Sequence, residues 1–150
     1  MKKIIIAGAA VVVLGVAYWL ISPLFITTVS NETMSDLPSA GIGSMVVSRG
    51  QFQDGAPGHH ASGEALLLKN ADGSHAVRFE DDFVVTNGPD VFVYFGKDGQ
   101  YDSNARLSGL KGSMGGQNYV VPAGIDATQY NEVWIWCRAF GVEFGRAQLK

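Results

Sequence analysis

Cysteine occurs once in this chain, at Cys137. A single thiol excludes an internal disulfide, a four-cysteine iron–sulfur cluster and the Cys-x-x-Cys-His attachment of haem. Histidine is nearly as scarce, with only His59, His60 and His75. Adjacent histidines on an extended chain point apart, and nothing nearby has zinc-ligand spacing, so no metal site is expected. Basic residues are few as well. With Lys2 and Lys3 set aside, nine basic side chains face fourteen acidic ones, a net of −5. Such a domain repels phosphate backbones, so nucleic acid is not an expected partner, and anionic lipid headgroups are disfavoured for the same reason. The motifs of common chemistries are missing too. Gly115-Gly116 has no strand-to-helix context for a phosphate loop, and no Gly-x-Ser-x-Gly elbow occurs. The acids Asp81, Asp82, Asp90 and those of 98–104 do not follow calcium-loop spacing. No catalytic constellation emerges.

Charge is wholly absent from residues 4 to 31. Ile4 to Leu20 is an unbroken apolar run that extends through Pro23 to Ile26, 23 residues in all. A helix needs roughly 20 residues to cross a hydrocarbon layer of ~30 Å, so residues 4–26 are read as a membrane anchor. Lys2 and Lys3 precede the run and no basic residue follows nearby. The positive-inside rule then leaves residues 1–3 in the cytoplasm and sends the rest to the periplasm or cell exterior, as a single-pass protein of the cell (inner) membrane. A cleaved signal peptide begins in a similar way. Here the run is long, no small-x-small cleavage site follows it, and no cysteine stands at its end for lipidation.

Seventeen of the nineteen glycines lie after residue 40, which favours tight turns over long helices. Residues 27–44 are polar, with Pro38, Gly41 and Gly43, and lack periodicity; they read as a linker. From residue 45 the pattern is that of strands. Val77 and Phe79 alternate with Ala76 and Arg78. Val91, Val93 and Phe95 alternate with Phe92 and Tyr94, and Val133, Ile135 and Cys137 with Trp134, Trp136 and Arg138. Asp54-Gly55, Asp72-Gly73, Asn87-Gly88-Pro89 and Asp98-Gly99 supply the turns. Gly88-Pro89 suits a tight turn into a central strand at Val91 to Phe95, since Gly tolerates φ > 0 and Pro cannot donate to a ladder. The expectation is a mainly β domain over 45–150, an antiparallel β-sandwich of roughly seven to nine strands. Strands apolar on both faces are expected to be covered on both sides; the alternative is an aromatic face offered to a partner.

Alternation puts Cys137 on the same face as Val133 and Ile135. A buried free cysteine behaves as a small hydrophobe. The functional alternative is a redox thiol or a cofactor ligand. Arg138 would lower the thiol pKa only if the two side chains met, and on a regular strand they point to opposite faces. His59 and His60 stand beside Cys137 as candidate cofactor ligands, with surface-loop residues as their plain alternative. The sequence names no cofactor.

An ordered set of phrases completes the reading. These are Gly50-Gln51-Phe52, His59-His60-Ala61-Ser62-Gly63, Phe79 to Phe83 leading to Asn87-Gly88-Pro89-Asp90-Val91, Leu107 to Gly112, Gly116-Gln117-Asn118-Tyr119 with Pro122, Val133 to Cys137, and Phe140, Phe144-Gly145 and Ala147-Gln148-Leu149. In that order, over about residues 45 to 150, the chain resembles the DM13 domain family. The resemblance implies a compact extracytoplasmic β-sandwich, often membrane-attached and labelled as electron-transfer, with Cys137 at the position suspected of redox work. Two functions stand: an accessory or interaction module of a larger membrane complex, and a redox module using Cys137. The orientation is open to test. Protease added to intact spheroplasts should digest the chain after about residue 45, and full protection of that region would reverse the assigned topology.

Overall fold

In a computed structural model that describes residues 2–37 and 43–150, the apolar run forms helix α1, Lys2–Phe25. Beyond Lys3 its residues are apolar on every side, and none of Lys2–Trp19 is buried among the described residues. A helix of that kind is stable where its surroundings are themselves apolar. By length and composition α1 is a candidate membrane span. Residues 38–42 of the expected linker, with Pro38 and Gly41, and Met1 of the expected N-terminal segment lie outside the described residues.

Among the described residues ten strands follow: β1 (Met45–Asp54), β2 (Ala61–Ser62), β3 (Glu64–Lys69), β4 (His75–Phe79), β5 (Val84–Val85), β6 (Val91–Lys97), β7 (Gln100–Gly109), β8 (Gln117–Val120), β9 (Glu132–Cys137) and β10 (Val142–Gln148). Eight of them form one antiparallel sheet in the order β7-β6-β9-β10-β1-β3-β4-β8, and β2 pairs with β5 alone. The outer strands β7 and β8 approach each other, so the sheet nearly closes into a barrel. The mainly β, antiparallel domain expected from the sequence is what forms, and its two halves are continuous as one nearly closed sheet. The reason lies in β1, which pairs with β3 along 45–51 and with β10 along 52–54. Bulges between Val46 and Ser48 and between Glu143 and Gly145 bend the sheet on either side of that junction.

Val77, Phe79, Val93, Phe95, Val133, Ile135 and Phe144 point inward with almost no exposure. Phe79 is central, its ring 4.8 Å from Phe52, 4.6 Å from Phe83 and 5.0 Å from Tyr119. Val91–Lys97 is paired on both sides, as expected of a central strand. Gly88 is not among the glycines with positive φ. Its small size is required instead by the Phe144 ring, which a Cβ would meet at 2.5 Å. Glycine is thus needed at this turn for its size and not for its backbone conformation.

Part of the stretch read as a linker is bound to the barrel. Residues 28–37 form a strap along the β7–β8 connection. Ser113 N–H donates to Thr28 O (2.8 Å), Ser30 N–H to Met114 O (2.9 Å) and Glu32 N–H to Gly116 O (3.0 Å). The strap lies close because its seat is made of Gly112, Gly115 and Gly116. A Cβ at Gly115 would overlap Ser30 O, and Gly115 also holds φ +86°. Leu37 then covers Leu66, Leu68 and Ala76 on the outer side of β3 and β4. Gly115→Ala should therefore destabilise the barrel by about 1–3 kcal/mol, from the left-handed backbone alone. A melting temperature lowered by several degrees, with lost exchange protection at 28–33, is the expected result. Unchanged melting and protection would show that the strap does not need its seat.

Candidate functional site

The functional candidates lie on the wall formed by β7, β6, β9 and β10 and on the loops at one end of it. Cys137 ends β9 between Val91 and Val142, with 0% exposure, inside the main core. Arg138 turns the other way. Its guanidinium donates twice to Asp90 (3.2 and 3.1 Å) and lies 3.9 Å from the centre of the Phe92 ring. The Asp90 carboxylate holds the Arg138 pKa above its ordinary value. Thiol and guanidinium thus serve opposite faces, as the alternation required.

The two adjacent histidines part in the same way. His59 stacks on Phe144 at 4.1 Å, and its Nδ1 is buried without a hydrogen-bond partner. His60 is exposed, with Nδ1 3.1 Å from an Asp54 carboxylate oxygen. That carboxylate also accepts from Ala61 N–H, which is the main reason its pKa falls below the usual range. His75 stands in register with Lys69 on the β3–β4 pair. No three side chains of the metal-ligating types converge among the described residues. The structure therefore does not assemble Cys137, His59 and His60 into one ligand set.

What it does assemble is an outward aromatic surface. Phe92 and Tyr94 of β6 and Trp134 and Trp136 of β9 point away from the core, and Tyr101 of β7 leans across them. Tyr101 stacks on Trp136 at 4.4 Å and meets Tyr94 edge-on at 5.2 Å. Within this wall Tyr94 and Trp134 are buried, each 4% exposed, while Phe92, Tyr101 and Trp136 are half-buried, so side chains of the same sheet cover much of the outer face. Arginines cover the rings: Arg106 lies 5.3 Å from the Phe92 centroid and Arg146 5.1 Å from that of Trp134. Trp134 is held further by its indole N–H, which donates to Glu132 at 2.8 Å, and by the absence of a side chain at Gly96. Burial raises the Tyr94 and Glu143 pKa values in this wall. The aromatic alternation was visible in the sequence. Tyr101, Arg106 and Arg146 were not, because they come from β7 and β10, whose adjacency to β6 and β9 is a product of strand order.

At the nearby barrel end, an open groove of about 400 Å³ runs between Ile26 and Thr28, just beyond α1, the Asn87–Asp90 turn, and Leu110 to Ser113. Chemically, this region suits recognition more than thiol exchange. Tyr, Trp and Arg are the side chains that concentrate binding energy at interfaces, whereas thiol exchange requires an exposed thiolate.

The family model described as Electron transfer DM13 matches residues 51–149, well over half of the chain. Comparison with curated proteins and with solved structures returns no match.

Cys137 allows a direct measurement. In the folded protein a thiol reagent should leave it unlabelled until the barrel unfolds. Cys137→Ser should cost about 1–3 kcal/mol if the hydroxyl stays unpaired, with Cys137→Ala avoiding the polar part of that loss. Rapid labelling of the folded chain, with an apparent pKa below ~8.5 and no loss of stability on substitution, would reassign the residue to redox work.

Proposed function

Because the chain belongs to the DM13 electron-transfer family, we propose that it is a membrane-anchored accessory module serving an electron-transfer assembly on the extracytoplasmic side of a membrane. The observation that carries this reading is the division of β9 between its two faces. Cys137 is enclosed at 0% exposure, while Trp136 and Arg138, on the other face, reach the surface beside Phe92 and Tyr101. A thiol so enclosed cannot form a mixed disulfide with a partner while the barrel is closed. An aromatic–arginine wall has the composition of a protein-binding surface, since large rigid rings and a planar cation bind with little loss of side-chain entropy. On this reading the protein's part is to bind and position, and the electron carriers belong to the companion.

The anchor and orientation in this reading are supported by Lys2 and Lys3 before an uncharged run, within a helix long and apolar enough to span. Isolation of the full chain from its native membranes in mild detergent should yield a stoichiometric companion carrying a redox cofactor visible in the absorption spectrum. Trp136→Ala should weaken that association by about 2 kcal/mol or more, roughly thirtyfold, without unfolding the barrel. Recovery of the chain alone, together with rapid labelling of Cys137 in the folded state, would overturn this assignment.

A further inference from the structure

The registers bring one set of connections to one end of the barrel. Val91 faces Cys137, Asp54 faces Gly145 and Phe79 faces Gln117, so the segments 55–63, 80–90, 110–116 and 138–141 all emerge together. The chain coming from α1 joins the barrel at this end, where Thr28 O accepts from Ser113 N–H. Only residues 26 and 27 separate that bonded position from Phe25, the last residue of the helix. Three residue steps reach at most ~10 Å. The headgroup layer on one side of a bilayer is about 5–8 Å thick. A helix that spans thus keeps this barrel end within roughly 5 Å of the membrane surface, and the tether is too short to act as a flexible stalk.

Exposed apolar side chains are found where such proximity would use them. Phe140, at the tip of the β9–β10 hairpin, is 61% exposed. Val29 on the strap is 56% exposed, Val84 40% and Met114 38%, and isolated backbone bridges join Val29 to Met114 and Val84 to Met114. They therefore form a contiguous strip next to Ile26. Three carboxylates at the same end have cations beside them, Asp90 with Arg138, Glu32 with Lys111 and Asp81 with Arg78, while Asp82 accepts from Glu64 N–H. This pairing reduces the cost of bringing an acidic domain against headgroups. Phe in particular is at home at the boundary between headgroups and acyl chains.

We infer that the barrel sits on the bilayer itself, with Phe140, Val29, Val84 and Met114 inserted into the interfacial layer of a zwitterionic lipid surface. The inference rests on α1 being a span. It gives the domain a fixed orientation: the aromatic–arginine wall, which runs between the two barrel ends, then faces sideways along the membrane, toward a companion embedded in the same bilayer.

The test uses the full chain in phosphatidylcholine nanodiscs, with a fluorophore on one introduced cysteine at a time. Phe140→Cys and Met114→Cys report the proposed contact. Val120→Cys, at the opposite end of β8, reports the far end of the barrel, and Val13→Cys reports the helix. The unsubstituted chain, treated alike, sets the background from Cys137. All four positions are exposed, so folding should be preserved. Nitroxides placed on lipid headgroups should quench the probes at 140 and 114 strongly and the probe at 120 hardly at all, while nitroxides on acyl chains quench the probe at 13. Quenching at 13 combined with equal, weak quenching at 140, 114 and 120 would leave the anchor in place and overturn the seating. Absence of quenching at 13 would remove the anchor, and the seating with it.

Discussion

Arg78 carries a full positive charge into a position only 4% exposed, at the point where β4, β8 and the strap meet. A guanidinium so buried is tolerable only if its donors are satisfied. Its Nε donates to Glu80 (3.2 Å), its Nη1 to Glu32 O (3.0 Å) and Asn118 Oδ1 (3.2 Å), and its Nη2 to Asp81 (3.1 Å). Two of these partners are in turn bound to each other's elements. Asn118 Nδ2 donates to Thr33 O at 2.7 Å, and the Glu32 carboxylate accepts both Asn118 N–H and the Lys111 ammonium. The strap is therefore part of how the barrel accommodates its buried ion. Removing the strap would leave the Arg78 guanidinium and the Asn118 N–H groups short of acceptors, which is why the segment after the helix is ordered although its sequence is polar and aperiodic.

That coupling has a mechanical consequence. The candidate span and the barrel are joined through hydrogen bonds that begin three residues beyond the helix, so motion of one is transmitted to the other. A domain tied this closely is suited to positioning a surface relative to a membrane, and less suited to searching for distant partners. The same β strands then divide labour by their two faces. Val93, Phe95, Val133, Ile135 and Cys137 build the core, while Phe92, Tyr94, Trp134 and Trp136 build the outer wall. The wall's rings are steadied by arginines and by Tyr101, with Tyr94 and Trp134 buried among them and Phe92 and Trp136 half-buried.

The strand content was legible because side-chain alternation has a period of two whatever the sheet later does. It placed Cys137 beside Val133 and Ile135, separated Arg138 from it, and marked Val91 to Phe95 as a central strand. It could not distinguish two sheets facing each other from one sheet rolled on itself, since both bury alternate residues. That choice depended on β1 pairing with β3 and β10 at once, a long-range property of register. The requirement for glycine at Gly88 was likewise visible, but its cause, the ring of Phe144 from the other end of the chain, was not.

By itself, then, the sequence determined the uncharged helix-forming run, the mainly β character of the rest and the inward phase of Cys137, because each depends on residues within a few positions of one another. Only the tertiary structure decided that residues 28–37 bind the barrel, that His59 and His60 take separate partners, and that Tyr101 and three arginines from neighbouring strands complete the aromatic wall. Those arrangements join residues far apart in the chain. They exist because strand order and a buried guanidinium, neither written in any local pattern, dictate which distant side chains meet.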